Sequence, residues 1–149
     1  MDTLIRTPTV RLFQPDDAAC LVNRDGMQVD AAQLIRQASL GEAWTACIED
    51  RPIAAAGIIV LWPGVGVVWM TLTDDMAHYG IWLTRTTKAF LDEITIRHRL
   101  HRIEAVALEA SPRNQRWLDA LGFTSERDGV ARQYLHDQRS VIRYERIRS

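Results

Sequence analysis

The chain has 149 residues, a net charge of −1, and 47% hydrophobic against 25% charged residues, a balance that gives one domain a real core and excludes disordered and fibrous classes. With a pI near 6.4 it lacks the broad positive field that a nucleic-acid partner would select. No apolar run approaches the roughly 18 residues of a membrane span, and the opening MDTLIRTPTVRLF is too short and too polar for a secretion signal, so the expectation is a cytoplasmic protein with no membrane partner.

Thr9 to Phe13 alternates as a short strand, and Gln14-Pro15-Asp16-Asp17 reads as a helix start with proline in the first turn and acids at its positive end. That helix should run through Ala18, Ala19, Leu21 and Val22 and break at Asp25-Gly26. A second helix follows, capped by Asp30, with Ala31, Leu34, Ile35 and Ala38 on one face and Gly41 at its end. Glu42 to Glu49 is a second strand, and the turn Glu49-Asp50-Arg51-Pro52 leads into a third, Ile53 to Trp62, whose apolar run predicts burial on both faces. Gly57 within it marks a bulge or a close backbone approach.

Pro63-Gly64 turns the chain into a fourth strand, Val65 to Thr73, antiparallel to the third. The longest helix spans about His78 to Arg99, with Leu83, Thr87, Phe90, Leu91 and Ile94 as its core stripe. A fifth strand, Ile103 to Glu109, completes a strand–helix–strand unit and so lies parallel to the fourth. Ser111-Pro112 starts a short helix with Trp117, Leu118 and Leu121 inward and Gly122 at its stop. Phe123 to Arg127, Gln133 to Leu135 and Val141 to Ile147 read as closing antiparallel strands, with Asp128-Gly129 as a hairpin turn. The fold class is therefore α+β, a mixed sheet in which an antiparallel meander precedes a βαβ unit, over a single domain from residue 1 to 149.

The stretch Val65 to Trp82 concentrates the candidate chemistry, because a strand running into a helix aims free N–H groups and the helix dipole at whatever lies in front, which suits phosphate. Other signals read as structure. Cys20 and Cys47 have no CxxC spacing and look like small buried hydrophobes of a reducing compartment. His78, His98, His101 and His136 lack an HExxH pattern, so no metal site is expected. The basic cluster Arg97 to Arg102 and the arginines Arg139, Arg143, Arg146 and Arg148 read as solvated or helix-capping charge. Trp44, Trp62 and Trp69 read as a shared core cluster, with a substrate cage as the alternative.

This order of elements, and above all Val106 to Phe123 (VALEASPRNQRWLDALGF), resembles the GNAT superfamily of acyl-coenzyme A N-acyltransferases. The Trp-bearing strand followed by Asn114, Arg116, Trp117, Leu118, Leu121, Gly122 and Phe123 is also similar to acetyltransferase-like proteins of tailed bacteriophages, some of them internal virion proteins. The resemblance implies that strands four and five splay apart. The pantetheine arm of acetyl-CoA would then pair with Met70, Thr71 and Leu72, and its pyrophosphate would lie over Ala77 to Leu83, with His78, Tyr79, Gly80, Ile81 and Trp82 as contacts and Asn114 as a further one. The family's phosphate loop, Gln/Arg-x-x-Gly-x-Gly/Ala, is met here by Ala77-His78-Tyr79-Gly80-Ile81-Trp82, in which Gly80 alone fits. Asp74, Asp75, His78 and Glu109 are the candidate bases by position, although the two aspartates also read as helix caps. Leu118 stands where the family often has a proton-donating Tyr, leaving Tyr134 or Tyr79 to substitute. The implied reaction moves an acetyl group to a small-molecule or protein amine. The alternative is a non-catalytic scaffold, with phage proteins as partners inside a phage particle; homo-oligomerisation stays open.

Overall fold

The structure is a computed structural model that describes residues 7–21, 30–108, 112–131 and 141–147. In chain order its elements are β1 (Thr9–Leu12), a 3-10 turn (Pro15–Cys20), α1 (Ala31–Ala38), β2 (Ala43–Ile48), β3 (Arg51–Trp62), β4 (Val65–Leu72), a second 3-10 turn (Asp74–Tyr79), α2 (Gly80–Arg97), β5 (Arg102–Leu108), α3 (Pro112–Ala120), β6 (Thr124–Ala131) and β7 (Val141–Ile147). Seven strands make one mixed sheet in the order β1-β2-β3-β4-β5-β7-β6. β1, β2 and β3 are successively antiparallel, β4 and β5 are parallel, and β7 is antiparallel to both β5 and β6. The α+β class and the meander leading into a βαβ unit are as read from the sequence. Contacts gather in two compact units, Met1–Ile59 with Trp69–Trp82 and Val60–Val68 with Leu83–Ser149.

The first unit is built around a buried carboxylate. Asp17, 3% exposed, accepts from both Arg11 guanidinium nitrogens at 2.8 and 2.7 Å, from the Gln14 amide at 2.9 Å and from the Thr45 hydroxyl at 2.8 Å. Those bonds tie β1, the 3-10 turn and β2 together. They also hold the segment in a tight turn that closes with the Leu21 amide on the Ala18 carbonyl, instead of the longer helix expected to reach Val22; Val22, Asp25 and Gly26 lie outside the described residues. Ala18, Leu21, Leu34 and Ala55 then form a buried cluster, with Phe13, Ala31 and Trp69 packed on it. α1 is fixed by a reciprocal capping box, Gln33 amide to Asp30 Oδ1 at 2.8 Å and Asp30 amide to Gln33 Oε1 at 3.1 Å.

The β2–β3 turn is tighter than predicted. Glu49 and Asp50 take φ of 50° and 66°, the primed geometry that matches strand twist, so β3 begins at Arg51. Pro52 sits where the β2 register shifts between Ala46 and Cys47, a place where a missing N–H does no harm. Cys47 is buried as expected, and burial pushes its thiol up; Cys20 is exposed instead. Burial of β3 on both faces holds from Ile53 to Ile58 and fails at Val60, Leu61 and Trp62.

In the second unit, α2 buries Leu83, Thr87, Leu91 and Ile94. It ends with the Leu100 amide on the Thr95 carbonyl (2.9 Å) and the Arg99 amide on the Ile96 carbonyl (3.2 Å), which places Arg99 at φ 51°. α3 ends in the same way, with the Phe123 amide on Leu118 (3.0 Å), the Gly122 amide on Asp119 (3.1 Å) and Gly122 at φ 93°. The Trp117 indole donates to the Thr84 hydroxyl at 3.0 Å, pinning α3 to α2. Arg102 pairs with Glu104 and Glu145 across β5 and β7. Asp128-Gly129 is no hairpin turn: both lie inside β6, where its register with β7 shifts between Ser125 and Val130, so the extra residues are absorbed as a bulge. Gln133 to Leu135 lie outside the described residues.

Two outcomes follow from these helix and turn geometries. Burial pushes the Asp17 carboxyl up, but the bonds from Arg11, Gln14 and Thr45 outweigh it and the net shift is downward. Its stabilisation is therefore complete above the unfolded value of about 3.9 and is lost as pH falls through the folded value. Asp17→Asn is expected to cost about 2–3 kcal/mol at pH 7 in urea titrations, with the difference shrinking steadily toward pH 2. Arg99→Gly is expected to raise stability by about 1 kcal/mol, read as a higher melting temperature, because glycine takes positive φ without a Cβ clash.

Candidate functional site

β4 sorts its residues by alternation. Trp69 packs on the Ala18–Leu21–Leu34–Ala55 cluster, the buried Thr71 donates its hydroxyl to the Leu21 carbonyl at 3.1 Å, and Thr73 sends both its amide and its hydroxyl to the Ile53 carbonyl at 2.9 Å. Those three side chains share one face, and Met70 and Leu72 present theirs on the other. The backbone follows the same period. Since the Thr73 amide points at β3, the Thr71 and Trp69 amides do so too, and Met70 and Leu72 turn N–H and C=O toward the opposite edge. On that edge the ladder to β5 joins Val65, Gly66 and Val67 to Arg102, Ile103 and Glu104, while β4 itself runs on to Leu72.

Gly57 is what lets this strand lie as it does. A Cβ there would stand 2.5 Å from Trp69 Cζ2 and 2.6 Å from Nε1, so the indole lies flat over the glycine; of the two readings for Gly57, close approach is the one realised. Gly57 beside Trp69 and Ile53 beside Thr73 are one and the same register. The three tryptophans do not share a core. Trp69 is on the cluster face, Trp44 pairs with Ala56 one residue out of phase with it, and Trp62 is 59% exposed. Among the described residues the indole N–H groups of Trp44 and Trp69 are buried without an acceptor.

After β4 the chain enters the 3-10 turn with Thr73 at the N-cap in extended geometry. Its hydroxyl is committed to Ile53, so Asp74 and Asp75 are first-turn residues facing the positive end, not caps as read from the sequence. Asp75 is ion-paired with Arg51 at the start of β3, and Met76 is buried as the anchor of the turn. Ala77 and His78 are exposed and Tyr79 is half-buried. The α-helical register begins at Gly80 rather than His78, and the 3-10 turn runs directly into it, so Gly80, Ile81 and Trp82 form the first turn of α2. A Cβ on Gly80 would meet no heavy atom within 4 Å, so the Trp82 side chain does not stand over it, and Ile81 is 75% exposed. Trp82 itself is half-buried.

The structure thus strings Met70, Thr71, Leu72, Asp74, His78, Tyr79, Gly80, Ile81 and Trp82 along one strand–turn–helix segment. Asn114 is half-buried on α3, in the other unit. Glu109 and Tyr134 lie outside the described residues. Leu118 is buried in the core of its own unit, so that position supplies no proton. Thr71 spends its hydroxyl on Leu21 and turns its backbone toward β3, which leaves Met70 and Leu72 as the strand residues with outward backbone groups. Arg51 was missed from sequence because it was assigned to the turn; Asp50, a residue that tolerates positive φ, was the one signal that the turn is shorter and the strand starts earlier, at Arg51.

No family model and no curated protein sequence matches this chain. Its fold is that of solved acetyltransferases. Ard1 from Thermoplasma volcanium superposes with a TM-score of 0.82 at 11% identity, over 95% of this chain and 98% of that one. The ribosomal-protein-S5-alanine acetyltransferase from Vibrio fischeri gives 0.72 at 20% identity, over 96% and 94%. A spermidine N-acetyltransferase chimera drawn partly from Vibrio cholerae gives 0.74 at 12%, over 95% and 96%. At these identities the likeness is one of fold, and it is the GNAT fold.

Gly57→Val is expected to displace the Trp69 ring and cost about 1–3 kcal/mol in denaturant titration, with a changed near-ultraviolet circular dichroism band. An unchanged band with full stability would mean that the indole is free to move aside.

Proposed function

We propose that the protein is an N-acyltransferase that moves an acetyl group from acetyl-CoA to an amine. The observation that carries this reading is the strand–turn–helix segment just described, in a fold otherwise found in acetyltransferases. Backbone groups of Met70 and Leu72 face away from β3 beyond the last ladder position at Val67, and a helix start with open space at Gly80 follows within one turn. An extended amide-bearing arm pairs with the first as an added strand would. A pyrophosphate suits the second, since the positive end of the helix dipole favours anions and Gly80 leaves room for one.

In this reading the amine lone pair attacks the thioester carbonyl carbon, a β4 amide holds the oxygen as it gains charge, and the C–S bond breaks to release the thiolate. Asp74 and His78, exposed on the turn between strand and helix, are the candidates to take the proton from the amine; Glu109 and Tyr134 remain candidates for base and acid on the resemblance alone. Asn114 is a proposed coenzyme contact on the same ground. Asp75 does not oppose the phosphates with full charge, because Arg51 is paired with it. The acceptor is an amine of small-molecule or protein origin. The acetyltransferases compared above lend the phage likeness no support. A non-catalytic scaffold is the second reading, favoured by the burial of Leu118 and by the missing polar side chain at Ala77.

Thermal melting separates the two. Acetyl-CoA at a hundredfold excess over its Kd is expected to stabilise by about 2.7 kcal/mol, a rise of a few degrees, and Gly80→Asp is expected to abolish the rise while leaving the unliganded melting temperature within about a degree, since its Cβ meets nothing. Absence of any rise in the unmodified protein overturns the transferase reading.

A further inference from the structure

One end of the second unit is unusually apolar for an exposed surface. Val60, Leu61 and Trp62 close β3 in a row at 42%, 43% and 59% exposure, at the tip of the hairpin that turns through Pro63-Gly64. The register sets Val65 beside Arg102 and Arg102 beside Ile147, so Ile147, 54% exposed, ends β7 at this same edge of the sheet. The Arg99 turn that follows α2 arrives there too, because the His101 and Arg102 amides both bond the Gly64 carbonyl, at 2.8 and 3.1 Å. His101 lies against the hairpin, its ring occupying the place where a Gly64 Cβ would stand, and both His101 and Arg99 are exposed.

We infer that this end is a membrane-surface attachment site for bilayers with anionic headgroups, carried by the Val60–Trp62 hairpin tip and by Arg99. Shape selects the occupant. Leu61 points to one side of the ribbon and Val60 and Trp62 to the other, so a partner seated on one sheet face leaves the rest of the tip wet, whereas insertion into the headgroup region covers both sides at once. Chemistry agrees: a tryptophan with flanking aliphatics, and an arginine in the turn bonded to the same hairpin, is the composition that settles at a lipid interface. Arg99 is held at positive φ where glycine is the easier residue, and so places a charge at the tip at a cost to stability. The expectation of no membrane partner rested on the lack of a span-length apolar run, which attachment to the surface does not need.

The test uses the whole chain with vesicles of phosphatidylcholine alone and of phosphatidylcholine with 30% phosphatidylserine. Co-sedimentation is expected with the second and to weaken with salt, and brominated lipid is expected to quench part of the tryptophan fluorescence. Trp62→Ser is expected to weaken binding about tenfold or more and to remove that quenching, with the melting temperature unchanged. Arg99→Gly is expected to weaken binding about fivefold while the protein melts higher, opposite signs that a merely structural role would not give. Equal binding to both vesicles, no binding to either, or binding that Trp62→Ser leaves intact overturns the inference. So does sedimentation velocity showing a dimer that Trp62→Ser dissolves, since a second copy would then be the occupant.

Discussion

The contact between Trp69 and Gly57 is the constraint on which the candidate site rests. An indole laid over a residue without a side chain gives the β3–β4 pair a register that no neighbouring position can accept, because a Cβ at that place would overlap the ring. A shift by one residue would also turn Trp69 off the Ala18–Leu21–Leu34–Ala55 cluster and expose it. With the register fixed, Thr73 must meet Ile53, and the outward direction of the Met70 and Leu72 backbone follows from alternation alone. The acyl donor's proposed strand-like seat is therefore set by a packing contact on the opposite side of the sheet from the side chains of Met70 and Leu72.

A second constraint supports that face from the other end. Asp17 satisfies its buried charge with bonds from three segments, and each of them would otherwise be marginal: β1 is four residues long and the 3-10 turn six. A buried carboxylate with one partner removed is costly, so the network works as a register device as much as a source of stability. Arg11 lies six residues before Asp17 and Thr45 lies 28 after it. Nothing in their spacing announced that they would meet, and for that reason the sequence reading assigned Asp17 only a role at a helix start.

What could be read from sequence was local and periodic. The α2 stripe, the Asp30 cap, the Gly122 stop and the parallel β4–β5 pairing are each fixed by a few neighbouring residues or by a connection rule, and they stand in the structure as read except that Phe90 is only half-buried at the margin of its stripe. The failures have a common cause. Asp128-Gly129 is a strong turn signal on its own terms, yet pairing with β7 draws it into a strand as a bulge. The aspartates before α2 are good caps by type, but Thr73 occupies the cap and tertiary bonds to Ile53 hold it there. The three tryptophans looked alike as residues and were separated by place: Trp69 on the cluster face, Trp44 on the other face, and Trp62 at the exposed end of β3. In all three cases a partner distant in sequence decided between local options of similar energy.

The turn between β4 and α2 shows how such a decision bears on function. Two acids at the mouth of an anion site would ordinarily argue against it, since each repels phosphate at close range. The fold answers half of that objection by bringing Arg51 to Asp75, which it can do because the primed turn at Glu49-Asp50 starts β3 early. Asp74 is exposed at the helix start, where the proposed reading has an amine lose a proton. In the proposed reading, the Arg51 pairing of one carboxylate is what eases the approach of a phosphate to this turn. Gly80, the one loop position that fits the family pattern, keeps open space around it although Trp82 stands where a small residue was expected.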